Sequence, residues 1–281
     1  ELAEFKADPD FYKYEKIKNF SAQLKVSDFD DAKMLENILS HKKEAPKVIP
    51  LYKNWMFRVA AVLVLALGIT LAMQNFSTET QFASNGKRTT FLLPDNSEVV
   101  LNAGSKIEYK KWNWKNNRNL ELKGEAYFKV AKGQKFEVKT SLGNVTVLGT
   151  QFDVKARKNR FEITCFEGRV KVNYKDKELI LTKGLSVIFE NGNQINTTST
   201  SLKPEWLENK MAFSKENLPN IIDEIQRQYN VAISIKSGLS NELFTGKIPT
   251  DNLDIALQII ATTYNLETKK IDPNTIIFEK K

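Results

Sequence analysis

The chain has 281 residues, 27% of them charged, and a net charge of +8, so two or three folding units are expected rather than one. Its single cysteine, Cys165, excludes an internal disulfide framework, and its single histidine, His41, leaves His-based metal sites and Ser-His-Asp triads without their usual parts. Basic and acidic residues alternate, as in Glu121-Leu122-Lys123, which reads as solvated surface and not as a nucleic-acid stripe.

The chain opens on Glu1 and not Met, so a segment upstream is expected. Asp8-Pro9 is a helix-start signal, because Asp8 can cap free amides and Pro9 is pre-set for the first helical position; the helix is expected to run through Phe20. A second start is read at Ser27, with Asp30 at capping-box spacing. Met34, Leu35, Ile38 and Leu39 then fall on one face, which makes an amphipathic helix suited to a groove on a partner. Pro46 and Pro50 break it and lead to the next element.

Trp55 to Met73 reads WMFRVAAVLVLALGITLAM, long enough at about 1.5 Å per residue to cross a hydrocarbon core of roughly 30 Å. Its one charge, Arg58, lies within a turn of the N-terminal end, where it can snorkel. His41, Lys42, Lys43, Lys47, Lys53 and Arg58 precede or open this stretch, whereas no Lys or Arg follows until Lys87 and Arg88. The positive-inside rule then puts the N-terminus in the cytoplasm and everything after about residue 75 outside it.

Residues 86–190 alternate apolar and polar positions, as in Val99-Val100-Leu101, Val145-Thr146-Val147 and Val170-Lys171-Val172. Pro94-Asp95-Asn96, Asn102-Ala103-Gly104, Gly143-Asn144 and Gly168 punctuate them, so an antiparallel all-β domain is expected. Trp112 and Trp114 are spaced to share one face of a strand, and such a pair could stack on a sugar. Cys165 lies in the alternation Phe161, Ile163, Cys165 and reads as a small buried hydrophobe.

The runs LLPDNSEVVLNAGSKIEY (Leu92 to Tyr109), LELKGEAYFKV (Leu120 to Val130), VTVLGTQFDVKA (Val145 to Ala156) and FEGRVKV (Phe166 to Val172) closely resemble the FecR domain. The resemblance implies a bacterial inner-membrane anti-sigma factor. Its periplasmic part would take a signal from a TonB-dependent outer-membrane transporter, and its cytoplasmic part would hold an extracytoplasmic-function sigma factor. It also implies a self-cleavage bond, since some members are cut at Gly-Thr; the matching pair is Gly149 and Thr150, with Thr150 as nucleophile. The visible cytoplasmic segment is shorter than the sigma-binding domain usual in the family.

After a Ser/Thr-rich linker, Asn196 to Ser201, helical spacing at Leu218, Ile221, Ile222 and Ile225 precedes a strand at Val231 to Ile235. A strand at Phe244 to Ile248, a helix carrying Leu253, Ala256, Leu257, Ile259 and Ile260, and strands at Leu266 to Ile271 and Thr275 to Phe278 follow. MAFSKENLPNIIDEIQRQYNVAISI and FTGKIPTDNLDIALQIIATTYNLE resemble the domain appended to FecR-type proteins of Bacteroidetes and the short N-terminal signalling domain of secretins and TonB-dependent transporters.

The expected fold is therefore a single-pass membrane protein with four parts: a helical cytoplasmic segment (1–54) carrying the sigma-binding candidates Met34, Leu35, Ile38 and Leu39, a transmembrane helix (55–74), an all-β periplasmic FecR-like domain (75–195) and an α+β domain (202–281). The partner contact is expected somewhere within residues 211–281. Neither a metal nor a cofactor is implied, and no enzymatic activity beyond self-cleavage. The competing reading is a membrane-tethered glycan-binding or scaffold protein of the envelope, with Trp112 and Trp114 as its contact.

Overall fold

A computed structural model describes residues 10–24, 30–40, 55–76, 78–236 and 243–281, and the chain divides into units of residues 1–64 and 65–281. The expected signals at Asp8, Pro9, Ser27, His41, Lys42, Lys43, Pro46, Lys47, Pro50 and Lys53 lie outside the described residues.

Helix α1 is Phe11–Gln23 and α2 is Asp31–Ser40. The cap of α2 lies three residues beyond Ser27: the Asp30 carboxylate accepts from the Lys33 amide at 3.2 Å, which makes Asp30 the N-cap. Met34, Leu35, Ile38 and Leu39 are exposed on α2, as are Ile17 and Phe20 on α1 and Leu24 just after it. Helix α3, Trp55–Phe76, is the one helix among the described residues long and apolar enough to cross a membrane. It has no polar face, and it ends three residues past Met73.

The strand-rich body starts with β1 (Thr78–Ala83), β2 (Thr89–Leu92), β3 (Glu98–Leu101), β4 (Ser105–Lys110) and β5 (Arg118–Lys129). Next come β6 (Phe136–Lys139), β7 (Asn144–Val147), β8 (Gln151–Arg157) and β9 (Arg160–Glu167). β10 (Arg169–Tyr174), β11 (Lys177–Thr182), β12 (Leu185–Glu190) and β13 (Asn193–Thr198) complete it. The main path runs β11-β10-β7-β6-β5-β8-β9-β12-β13, with β3 and β4 also paired to β5. β5 is the spine. Its first half pairs with β4 and β6 and its second half with β3 and β8, the change falling at Gly124, where φ is +110° and a Cβ would stand 2.5 Å from Ser105 Oγ. Alternating side chains fill the interior: Phe128 stacks on Phe152 at 5.1 Å and Tyr174 on Phe189 at 4.2 Å. Cys165 is fully buried there, and burial pushes its thiol up to about 11.

Two expectations fail in this region. Trp112 and Trp114 are not on a strand but in the β4–β5 loop; Trp114 is buried edge-on against Tyr109 (5.5 Å) and Phe136 (6.1 Å), whereas Trp112 is half-exposed. The loop curls so that alternate residues no longer share a face. Asn196 to Thr198 belong to β13 and not to a linker, because the Asn191-Gly192 turn, with φ of +51° and +83°, closes a hairpin that pairs Ile195 with Ile188.

A 3-10 turn, Glu205–Glu208, leads into the α+β part: β14 (Lys210–Asn217), α4 (Leu218–Tyr229), β15 (Ala232–Ile235), β16 (Leu243–Pro249), α5 (Leu253–Thr263), β17 (Leu266–Asp272) and β18 (Thr275–Lys280). β14 pairs with β16, and the second sheet has the order β15-β18-β17 with β15 parallel to β18. Both helices start on asparagine caps: Asn217 accepts from the Asn220 amide at 3.0 Å and Asn252 from the Ile255 amide at 3.1 Å. Leu218, Ile221, Ile222 and Ile225 of α4 pack with Ala256, Leu257 and Ile260 of α5 over Ile248 and Phe278.

Candidate functional site

The opposite face of α4 builds the most heavily charged site of the larger unit. Asn220, Asp223, Glu224, Arg227 and Gln228 recur at helical spacing, with Glu216 of β14 just ahead of them, and where solvent would be expected this face meets β8, β9 and β12 of the strand-rich body. α4 is thus enclosed on both sides, apolar toward its own core and ionic toward the body.

Glu224 is the centre of this seam. Its side chain is 4% exposed, with Lys155 Nζ at 3.5 Å, Arg157 Nε at 3.9 Å and Arg227 Nη2 at 2.7 Å. Gln228 Nε2 donates to it at 2.9 Å and also to Asn102 Oδ1 at 2.8 Å, and Asn102 Nδ2 in turn donates to Glu125. Burial alone would raise the Glu224 pKa, but Lys155, Arg157 and Arg227 outweigh it and hold the carboxyl well below the usual carboxylate range. Lys155 answers in kind: burial acts to lower it, yet Glu125 and Glu224 keep it above the ordinary lysine value.

A second node forms around Arg160, whose guanidinium serves Glu162 (3.1 Å), Glu190 (3.0 Å) and Glu216 (3.0 Å) at once. One cation divided among three acids does not hold each of them down, and burial pushes the Glu216 carboxyl up. Lys158 bridges to Asp223 at the rim. Asp153 lies deeper, accepting from Trp206 Nε1 at 3.2 Å; burial, reinforced by Glu125, pushes its carboxyl well above the usual value. Glu125, Asp153, Lys155, Arg160, Glu216 and Glu224 border a cavity of about 230 Å³ between body and α+β part. Opposite charges from the body and the α+β part thus pair across the seam and interlock the two.

The turn that follows β1 is tied to the same seam. The Gly86 amide donates to the Arg227 carbonyl at 2.7 Å. Arg88 donates to Asn209 Oδ1 (3.1 Å) and Thr250 Oγ1 (3.2 Å) and lies 5.6 Å from the Trp206 ring centroid. Gly86 and Arg88, ten and twelve residues beyond the end of α3, are therefore held directly by Arg227, Asn209 and Thr250.

Gly149 and Thr150 sit in the β7–β8 connection. Gly149 has φ +154°, and a Cβ there would meet Lys132 Cα at 2.7 Å, so the close approach of two backbones requires glycine. Thr150 is buried and its hydroxyl donates to the Arg169 carbonyl at 3.1 Å. Gly168 covers the bond from the other side, since a Cβ on it would stand 2.9 Å from Thr150 Oγ1 and 3.2 Å from the Gly149 carbonyl oxygen. The sequence-predicted residues thus fall in separate places, the pair 149–150 in the body and Met34, Leu35, Ile38 and Leu39 on α2. Within residues 211–281 the structure brings the polar face of α4 against the chain's own body. Nothing in the sequence reading singled out Glu224, Lys155 or Arg160; the one available signal was the helical spacing of polar residues opposite the apolar stripe of α4.

Among curated proteins no match is found. Two crystal structures, each described as a candidate anti-sigma factor from Parabacteroides distasonis, share the fold at a TM-score of 0.66 and 23% identity. The 1.65 Å structure aligns over 72% of this chain and 99% of its own, and the 2.50 Å structure over 73% and 100%. The family model described as FecR protein matches residues 78–171, and that described as FecR, C-terminal matches residues 210–278. Together these cover more than half of the chain, from β1 into β10 and from β14 into β18, and the chain belongs to the FecR family.

Proposed function

We propose that this protein is a transmembrane anti-sigma factor that relays a signal from a TonB-dependent outer-membrane transporter to an extracytoplasmic-function sigma factor. The observation that carries this reading is α3, the one helix of membrane-spanning length and apolarity among the described residues, which comes in sequence between two helices, α1 and α2, with exposed apolar positions and the FecR-matched body. The lysines before α3, against none until Lys87 after it, support a cytoplasmic N-terminus and a periplasmic body in the inner membrane. The Parabacteroides likeness points the same way. On the input side, among the described residues β15 and β17 are each paired only with β18, and such edges accept a further strand from a signalling domain.

Affinity purification of the full chain from its host tests the reading. A sigma factor should co-purify and be lost when Leu35 and Ile38 are both changed to Asp; purification with no sigma factor under inducing and non-inducing conditions refutes it. The glycan-binding alternative loses its aromatic pair, since Trp114 is buried.

Self-cleavage belongs to the same proposal. Thr150 Oγ attacks the Gly149 carbonyl carbon, the C–N bond breaks, the Thr150 nitrogen takes the proton, and water then opens the ester to a Gly149 carboxylate and a restored hydroxyl. The glycine-only backbone at Gly149 and the buried hydroxyl beside it support this. A cut wild type and an uncut Thr150→Ala chain are expected on a denaturing gel, and a single uncut wild-type band after maturation in the host refutes it.

A further inference from the structure

Strand register fixes which end of the body lies next to α3. The helix ends at Phe76 and β1 starts at Thr78, and two residues reach at most about 7 Å. Thr78 pairs with Lys110, the last residue of β4. The same end of the sheet continues where Arg118 pairs with Phe136, Phe136 with Val147, and Arg169 with Thr182. Two hydrogen bonds tie the intervening loops into this end: Arg118 donates to the Ala131 carbonyl at 2.9 Å, and the Gly133 amide to the Leu148 carbonyl at 2.8 Å. The loop of residues 111–117, the loop of residues 130–135 and Leu148 therefore share the end from which the apolar helix departs.

Their chemistry is that of a membrane interface. Lys110, Lys111, Lys115 and Lys132 are exposed, with Trp112 50% and Leu148 63% exposed among them. Lys111 is bridged to Glu79 at 3.1 Å, beside the start of β1, and Asp95, the acid nearest Arg118, is consumed by it at 2.7 Å. What remains is a basic rim around a Trp and a Leu. Tryptophan favours the headgroup level, and lysine favours anionic phospholipid.

We propose that this end of the body rests on the bilayer that α3 crosses, with Trp112 at the headgroup boundary and Lys110, Lys115 and Lys132 on anionic lipid headgroups. The inference rests on the spanning role of α3. It names the lipid surface as occupant because the covalent tether holds these loops within reach of the headgroups whatever other partner is present. Gly149, packed on Lys132, belongs to this same membrane-facing end.

The test uses the full chain in bilayer discs of phosphatidylethanolamine and phosphatidylglycerol, with and without brominated acyl chains. The emission of Trp112 is the difference between wild type and Trp112→Phe. Brominated lipid is expected to quench that difference by about twofold or more. Quenching should be lost in phosphatidylcholine alone, and in a Lys110→Gln/Lys115→Gln/Lys132→Gln chain whose thermal midpoint is unchanged. Resistance to alkaline carbonate with unquenched Trp112 overturns this proposal and leaves the spanning reading intact, whereas extraction by carbonate overturns both. A Trp112 blue shift that follows the number of chains per disc, without bromine quenching, assigns the surface to a second copy and also overturns it.

Discussion

Replacing Glu224 with Ala removes the one acid that three cations of the seam converge on. The carboxylate is 4% exposed; its loss leaves Lys155 and Arg157, with side chains 18% and 11% exposed, short of one of the two acids they share, Glu125 remaining, and strips Arg227 and Gln228 of an acceptor. Taking one partner out of a buried ion pair costs about 3–5 kcal/mol. Because the apolar face of α4 is untouched, that cost should fall on docking and not on the folding of the α+β part. Trp206 reports docking directly, since its indole donates to Asp153 and its ring lies under Arg88. In urea, wild type should lose Trp206 fluorescence and far-UV ellipticity together; in Glu224→Ala the fluorescence should change first. The Lys155→Met partner supplies a double-mutant cycle with an expected coupling of about 0.5–3 kcal/mol. If Glu224→Ala stays within about 0.5 kcal/mol of wild type, or the coupling vanishes, the seam is not held as described.

Four further outcomes follow from the geometry. Burial raises the Asp153 carboxyl in the folded state, so its stabilising protonated form is complete below the unfolded value near 4 and is lost as pH rises through the folded value; Asp153→Asn should flatten that loss in thermal midpoints measured from pH 4 upward. Glu224 works in the opposite sense: its depressed value adds stability above pH 4.5 or so that is lost on acidification, and Glu224→Gln should remove that acid-side dependence. Gly168→Ala, at φ +83° with its Cβ against Thr150 Oγ1, should destabilise the body by about 1–3 kcal/mol in chemical denaturation, whereas Gly192→Ala, also at positive φ but in open space, should cost less. Asn217→Ala, which removes the cap on α4, should cost about 0.5–2 kcal/mol by the same measurement.

Local pattern made most of the fold legible. The apolar run of α3, the spacing of Leu218, Ile221, Ile222 and Ile225, and the two-residue alternation around Val99, Val145 and Val170 each report one element through its own period. The misreadings share a cause. Asn196 to Thr198 are polar because β13 closes the path as an exposed edge, so composition alone resembled a linker. β14 passed unassigned, its alternation broken by the register shift between Phe213 and Glu216. The seam was illegible for a stronger reason. Lys155 and Glu224, or Arg160 and Glu216, are tens of residues apart, and a charge that meets its partner only after folding looks in sequence like any solvated charge.

Strand order sets what a break between Gly149 and Thr150 would accomplish. Residues 1–149 would carry β1 to β7 and residues 150–281 the remainder, yet the two pieces interleave: β8 lies between β5 and β9, and β10 between β7 and β11. Six residue pairs join β5 to β8 alone, and the hydrogen bond from the Gly86 N–H to the Arg227 carbonyl crosses the divide again. A nicked molecule would stay whole in solution. The nick converts a continuous polymer into two braided ones, held by ladders that come apart only when a strand is drawn out. Chemistry at that bond would therefore set how the protein fails under load, and the pull that separates the pieces would have to come from elsewhere.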